Sequence, residues 1–191
     1  MLALFDGPIY GNRSAVVLDL IDASALLWRL KLLGVDVGER WQTLADNWAP
    51  IAGAGNYAFN DMHAMMAFVG AERPSAQRAL LDAQRAALER DDDNAAFTRE
   101  VGAPATRAIR AFGAADYATV VDLILPLRGS AHRFGGSHAQ RDVLDLTLIE
   151  AALRSGDRAC ALALTTERIA RKPHGTFAHA LHRRSQDLAS A

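Results

Sequence analysis

Apolar residues return at helical spacing along almost the whole chain, and strand-like alternation is confined to one short stretch. Trp41, Leu44, Ala45 and Trp48 fall at i, i+3, i+4 and i+7, one face of a helix that Pro50 is expected to end. Phe59, Met62, Met66 and Val69 repeat the pattern, and Gly70 closes it. Pro74, acceptable in a first turn, opens a third segment with Leu80, Leu81 and Leu88 inward, and Asp91–Asp93 follow as a solvated connection. "SAVVLDLI" (14–21) is the one strand candidate, but it runs into "DASALLWRLKLLG", so residues 16–33 read as one helix, apolar nearly all round. "NAAFTREVGAPATRAIRAFG" contains Gly102 and Pro104, yet Phe97, Val101, Ala105, Ala108 and Phe112 keep one phase, which predicts a single kinked helix. Further helices are predicted from Asp116 to Phe134 with a kink at Pro126, and over 137–155, 157–172 and 176–188.

These helices close at Gly34, Gly70, Gly113 and Gly156, about 36 to 43 residues apart, near the period of helical-repeat arrays. "RSGDRACALALTTERIARKP" has Gly156-Asp157 at the inter-helix turn, small Ala161 inside the second helix and Pro173 at the repeat's end. "AFGAADYATVVDLILPL" offers Ala115-Asp116-Tyr117 where such a repeat has Gly-Asp-Tyr. The turn residue needs an unusual φ, and a small residue lets paired helices approach closely. With these features the chain resembles a tetratricopeptide repeat protein. More narrowly, "WRLKLLGVDVGERW", "YAFNDMHAMMAFVGA", "TREVG" and "AHRFGGSHAQRDVLDL" resemble the tetratricopeptide repeat protein 38 family. The resemblance implies an all-α fold, an α-solenoid of antiparallel hairpins wound as a right-handed superhelix. It also implies a scaffold or adaptor role, with no catalytic residues to carry over. It covers the later part of the family's length, so residues 1–191 are expected to form one repeat domain, the C-terminal part of a longer architecture, with "LALF" as the tail of a helix.

Composition narrows the function classes. The 191 residues are 50% hydrophobic and 23% charged with a formal net charge of −1, so nothing global attracts nucleic acid or an anionic membrane. No apolar run approaches a membrane span, and the start lacks a signal peptide's basic region. The single cysteine, Cys160, fits a reducing compartment. A cytoplasmic location is the expectation.

The candidate chemistry lies in two polar stretches. In "AHRFGGSHAQRD" (131–142), Ser137 and Gln140 form a capping box, and Gly135-Gly136 supply the freedom to leave one helix and enter the next. His132, Arg133, His138, Arg141 and Asp142 remain, with Arg141 expected to pair with Asp145. His138 and Asp142 share a helical face, but a metal needs a third ligand that no nearby motif supplies. They are read as a network tying helices together or as an anion- or peptide-binding patch. In "FNDMHAMM", Asn60, Asp61 and His63 border the apolar stripe, as groove-lining or satisfied core residues. The C-terminal helix, with Phe177, Ala180, Leu181 and Leu188 inward and its histidines outward, is read as a capping helix.

The leading expectation is therefore a scaffold that binds a protein or peptide on its concave face through these residues, with no cofactor. The alternative is an enzyme or small-molecule binder using a cleft around His63, His132 and His138. A third expectation concerns 16–33, where Val17, Leu18, Ile21, Leu26, Leu27, Trp28, Leu30 and Leu33 cannot all face one partner helix. An uncovered apolar surface there favours a homodimer through the N-terminal end.

Overall fold

The computed structural model describes residues 1–189, and every regular element among them is helical. The helices are α1 (Leu2–Leu4), α2 (Val17–Leu32), α3 (Arg40–Ala52), α4 (Ala58–Gly70), α5 (Pro74–Leu88), α6 (Asp93–Phe97), α7 (Ala103–Gly113), α8 (Tyr117–Ile124), α9 (His138–Ser155), α10 (Arg158–Arg171) and α11 (Thr176–Gln186). None is long and apolar enough to cross a membrane.

Inner and outer helices alternate along the chain. α2, α4, α7 and α9 pack side by side, while α3 lies on α2 and α4, α5 on α4, α8 on α7 and α9, and α10 on α9. The inner layer closes on itself, because α9 returns to α2. An extended solenoid has contacts only between neighbouring repeats; this contact joins the first hairpin to the last full one. The indoles of the inner core meet small hydroxyls. Trp48 Nε1 donates to Ser24 Oγ over 2.9 Å, and Trp28 Nε1 donates to Thr147 Oγ1 over 3.0 Å. α4 sits at the centre and is buried from Ala58 to Val69 except for half-buried Asn60.

Most predicted elements are present, with instructive departures. The helix of Trp41 continues through Pro50 to Ala52. A proline removes one hydrogen bond, but Ala52 is buried, and that packing keeps the last turn helical. The kinked helix across Gly102 and Pro104 is α6 and α7 joined by a π turn, Thr98–Gly102, with Val101, Ala105, Ala108 and Phe112 all buried. A Cβ at Gly102 would overlap that of Ala58, so the glycine lets this bend approach α4. The segment after Asp116 is not one kinked helix. Pro126 has no N–H to give, and beyond Ile124 the chain continues as two 3-10 turns, Leu125–Gly129 and Ala131–Phe134, anchored by buried Leu127 and Phe134. On α11 the buried face is Ala178, Leu181 and Ser185, and Phe177 is exposed. Small residues at 178 and 185 let α11 close on α10, where His182 Nδ1 meets Thr165 Oγ1 at 3.0 Å.

The four spaced glycines fall into two kinds. Gly34 and Gly156 hold positive φ of 73° and 77° and turn the chain. Gly70 and Gly113 are helical, and a Cβ there would overlap the Trp41 indole and the Val69 side chain. In those hairpins Glu72 and Ala115 take the left-handed conformation instead, with φ of 55° and 58°.

The N-terminal segment docks on this frame. After α1 comes a π turn, Phe5–Ile9, with Phe5 and Tyr10 buried. Tyr10 Oη accepts from Asn47 over 2.7 Å, and both nitrogens of the Arg40 fork reach Asp6. The eight apolar residues of 16–33 are largely covered by the chain's own helices. Ile21, Leu27, Trp28 and Leu30 are buried and Val17 and Leu26 partly so, which leaves Leu18 and Leu33 exposed near opposite ends of α2.

Candidate functional site

Where the chain leaves helical geometry after Ile124, a cleft of roughly 1140 Å³ opens between α2, the 3-10 turns, the start of α9 and the end of α10. Its first polar anchor is the capping box of α9. Ser137 Oγ accepts from the Gln140 N–H over 3.3 Å, and the Gln140 side chain accepts from the Ser137 N–H over 2.8 Å. That fixes the first turn, which presents His138, Arg141 and Asp142 to the cleft.

Ion pairs brace its walls. Arg168 of α10 grips both oxygens of Asp142, at 2.7 and 2.9 Å. Burial raises the proton affinity of Asp142, but the hydrogen bonds and charge of Arg168, with the charges of Arg29 and Lys172, outweigh it and hold the carboxyl below its usual value. Arg128 donates to Asp145 at 3.0 Å and to Glu167 at 2.9 Å, and Arg171 reaches the same two carboxylates. The expected Arg141–Asp145 pair does not form. Asp145 is taken by Arg128 and Arg171, and Arg141 instead turns back to the carbonyls of Gly135, at 3.1 Å, and Gly136. Arg29, from the last turn of α2, reaches across to α9, donating to Ala25 O at 3.1 Å and Ala139 O at 2.7 Å.

The candidates named from sequence divide accordingly. His132, His138, Arg141 and Asp142 line this cleft. Arg133 does not; its guanidinium pairs with Glu100 at 2.5 Å. Asp61 and His63 lie inside the fold and do not form a groove, because α2, α3, α5 and α7 surround α4. Asp61 accepts from Gln84 Nε2 at 3.0 Å, and the same nitrogen meets Thr106 Oγ1 at 3.0 Å. Burial, opposed by that Gln84 bond, pushes the Asp61 carboxyl up to about 6. His63 is fully buried with Nδ1 on the Phe59 carbonyl at 2.8 Å and its ring 4.5 Å from that of Phe59. Burial pulls its imidazole down to about 4. Asn60 is half-buried on the same helix. His63, His132 and His138 therefore do not converge, since only the last two reach the cleft.

Arg29, Arg128, Arg168, Arg171 and Lys172 are cleft residues that the sequence did not single out. Local spacing carried no signal for them, because they come from two helices and a turn that only folding brings together. The groups of the cleft whose proton affinity is displaced toward ionisation, Asp142 downward and Arg128 and Arg168 upward, are held in their charged forms. Such groups bind and orient, and do not exchange protons near neutral pH. Burial also pushes the Cys160 thiol up, which disfavours a reactive thiolate. Among the described residues no three His, Cys, Asp or Glu side chains gather as ligands for a metal ion.

No family model matches the chain, and no solved structure matches it significantly.

Proposed function

We propose that this protein is a binding module built from helical hairpins, and that it receives a peptide segment in the cleft between α2, α9 and α10. One observation carries the reading: a large cleft that sets apolar side chains such as Leu26, Ile124 and Leu144 beside charged ones, several of them fixed by ion pairs, with no nucleophile–base pair among its lining residues. The alternating inner and outer helices support kinship with tetratricopeptide repeat scaffolds, and the motifs quoted above support the narrower protein 38 resemblance. In this reading the α2–α9 contact bends a short hairpin array into a ring, and the buried α4 moves the binding face from Asn60 and His63 to the cleft.

Selection of a displayed random-peptide library on the immobilised full chain tests the proposal. Enriched peptides should bind the wild type and lose affinity for Arg29→Gln and for Asp142→Asn. Peptides that bind both cleft variants as well as the wild type, or no enrichment at all, would contradict it.

A further inference from the structure

The charges at the α9–α10 end of the cleft do not balance. Arg29, Arg168 and Lys172 all act on the one carboxylate of Asp142, and only Arg168 hydrogen-bonds to it. Arg29 donates to two backbone carbonyls and Arg141 to two others. Carbonyl dipoles orient a guanidinium without neutralising it, and each guanidinium has five N–H donors, so both keep full charge and spare donors. Lys172 makes no side-chain hydrogen bond among the described residues and lines the same cleft. The neighbouring part is balanced, with Arg128 and Arg171 against Asp145 and Glu167. Asp19 and Asp22 lie on α2, the helix that carries Arg29, and Asp22, two helical turns away, offsets part of its charge. Arg29, Arg141, Arg168 and Lys172 thus face Asp142 and Asp22, four positive charges against two, and burial lowers the proton affinity of Arg29.

We propose that this end of the cleft is a subsite for the dianionic phosphoryl group of a phosphomonoester, with Arg29, Arg141 and Lys172 as its donors. A carboxylate would offset one of the surplus charges; a phosphomonoester offsets two and presents three acceptor oxygens to planar guanidinium forks. Asp142, locked by Arg168, positions the site without entering it. The proposal builds on the cleft as a peptide site, and the phosphomonoester has two sources, a phosphorylated side chain of that peptide or a small phosphorylated molecule.

The test is calorimetric titration of the full chain at pH 7.5 with three probes. These are inorganic phosphate against chloride at matched ionic strength, a degenerate peptide pool with one fixed phosphoserine, and the same pool with serine. Phosphate is expected to bind where chloride does not. Its affinity should fall about tenfold or more in Arg141→Gln and in Lys172→Gln. Arg133→Gln, outside the cleft, should bind as the wild type does. The exposed Lys172→Gln guards against a folding defect, since its melting temperature should be unchanged. No binding above chloride, or wild-type affinity in both Lys172→Gln and Arg141→Gln, would overturn the subsite. Preference for the phosphoserine pool supports both readings. Phosphate binding with neither pool bound supports the subsite and sinks the peptide reading; equal binding of both pools does the reverse.

Discussion

The indole N–H of Trp28 donates to the hydroxyl of Thr147, 119 residues further along the chain, over 3.0 Å in a fully buried setting. That hydroxyl in turn donates to the Val143 carbonyl at 2.7 Å, so one side chain satisfies both helices at the seam where the ring closes. Thr147→Val keeps the shape but leaves a buried indole N–H unpaired, which costs about 1–3 kcal/mol. Thr147→Ser keeps the bond and loses one methyl, about 1 kcal/mol. Urea denaturation should rank wild type above Ser above Val. If Val equals Ser, the seam is held by packing alone.

Asp61 and His63 give opposing pH dependences. The folded Asp61 carboxyl, at about 6, holds its proton more tightly than an unfolded one at 3.8, so its contribution is complete below pH 4 and lost as pH rises to 6. The folded His63 imidazole, at about 4 against 6.5 unfolded, contributes fully above pH 6.5 and loses that contribution as pH falls to 4. Each tenfold change in proton affinity is worth ~1.4 kcal/mol, so Asp61→Asn should stabilise the protein at pH 7.5 by up to about 3 kcal/mol. The gain should disappear by pH 4, where the wild-type carboxyl is already protonated. Thermal melts of both proteins from pH 4 to 8 check this; a difference independent of pH would mean Asp61 is solvated.

Ala115 and Gly70 predict substitutions of opposite sign. Ala115 holds φ of 58°, where a Cβ is strained, so Ala115→Gly should stabilise by about 0.5–1 kcal/mol after the entropy of an unfolded glycine is set against the relief. Gly70→Ala pushes a methyl into the Trp41 indole and should destabilise by about 1–3 kcal/mol. Melting temperatures of the two variants decide, and a stable Gly70→Ala protein would contradict the close approach of α3 and α4.

Burial of α2 bears on self-association. Leu18, 69% exposed, and Leu33, 52% exposed, are what remains uncovered of its eight-residue apolar set. With exposed Val16 beside Leu18 and exposed Val35 beside Leu33, the uncovered apolar surface is two small spots near opposite ends of α2, and light scattering is expected to return the 20.6 kDa monomer at every concentration. A mass that rises with concentration and reverts in Leu18→Glu would instead support the homodimer.

What was legible in the sequence was local. The capping box at Ser137 and Gln140, the continuous phase across Gly102 and the helix starts at Asp116 and Asp157 all depend on residues within a turn or two. What was not legible depends on several helices meeting. The Phe59–Val69 stripe marks one face of α4, but neighbours on every side bury Asp61 and His63 as well. The i,i+4 spacing of Arg141 and Asp145 fitted an ion pair, yet Arg128 and Arg171 arrive from other elements and claim the carboxylate. The cleft exists because the chain leaves the helix after Ile124, which Pro126 hinted at without fixing what would line it.

The central claim is that the protein binds through this cleft, and amide chemical-shift mapping tests it most directly. With isotope-labelled full chain and a peptide from the display selection, shifts should concentrate at residues 25–29, 138–145 and 168–172. Shifts confined to the outer faces of α3 and α5 would contradict the account.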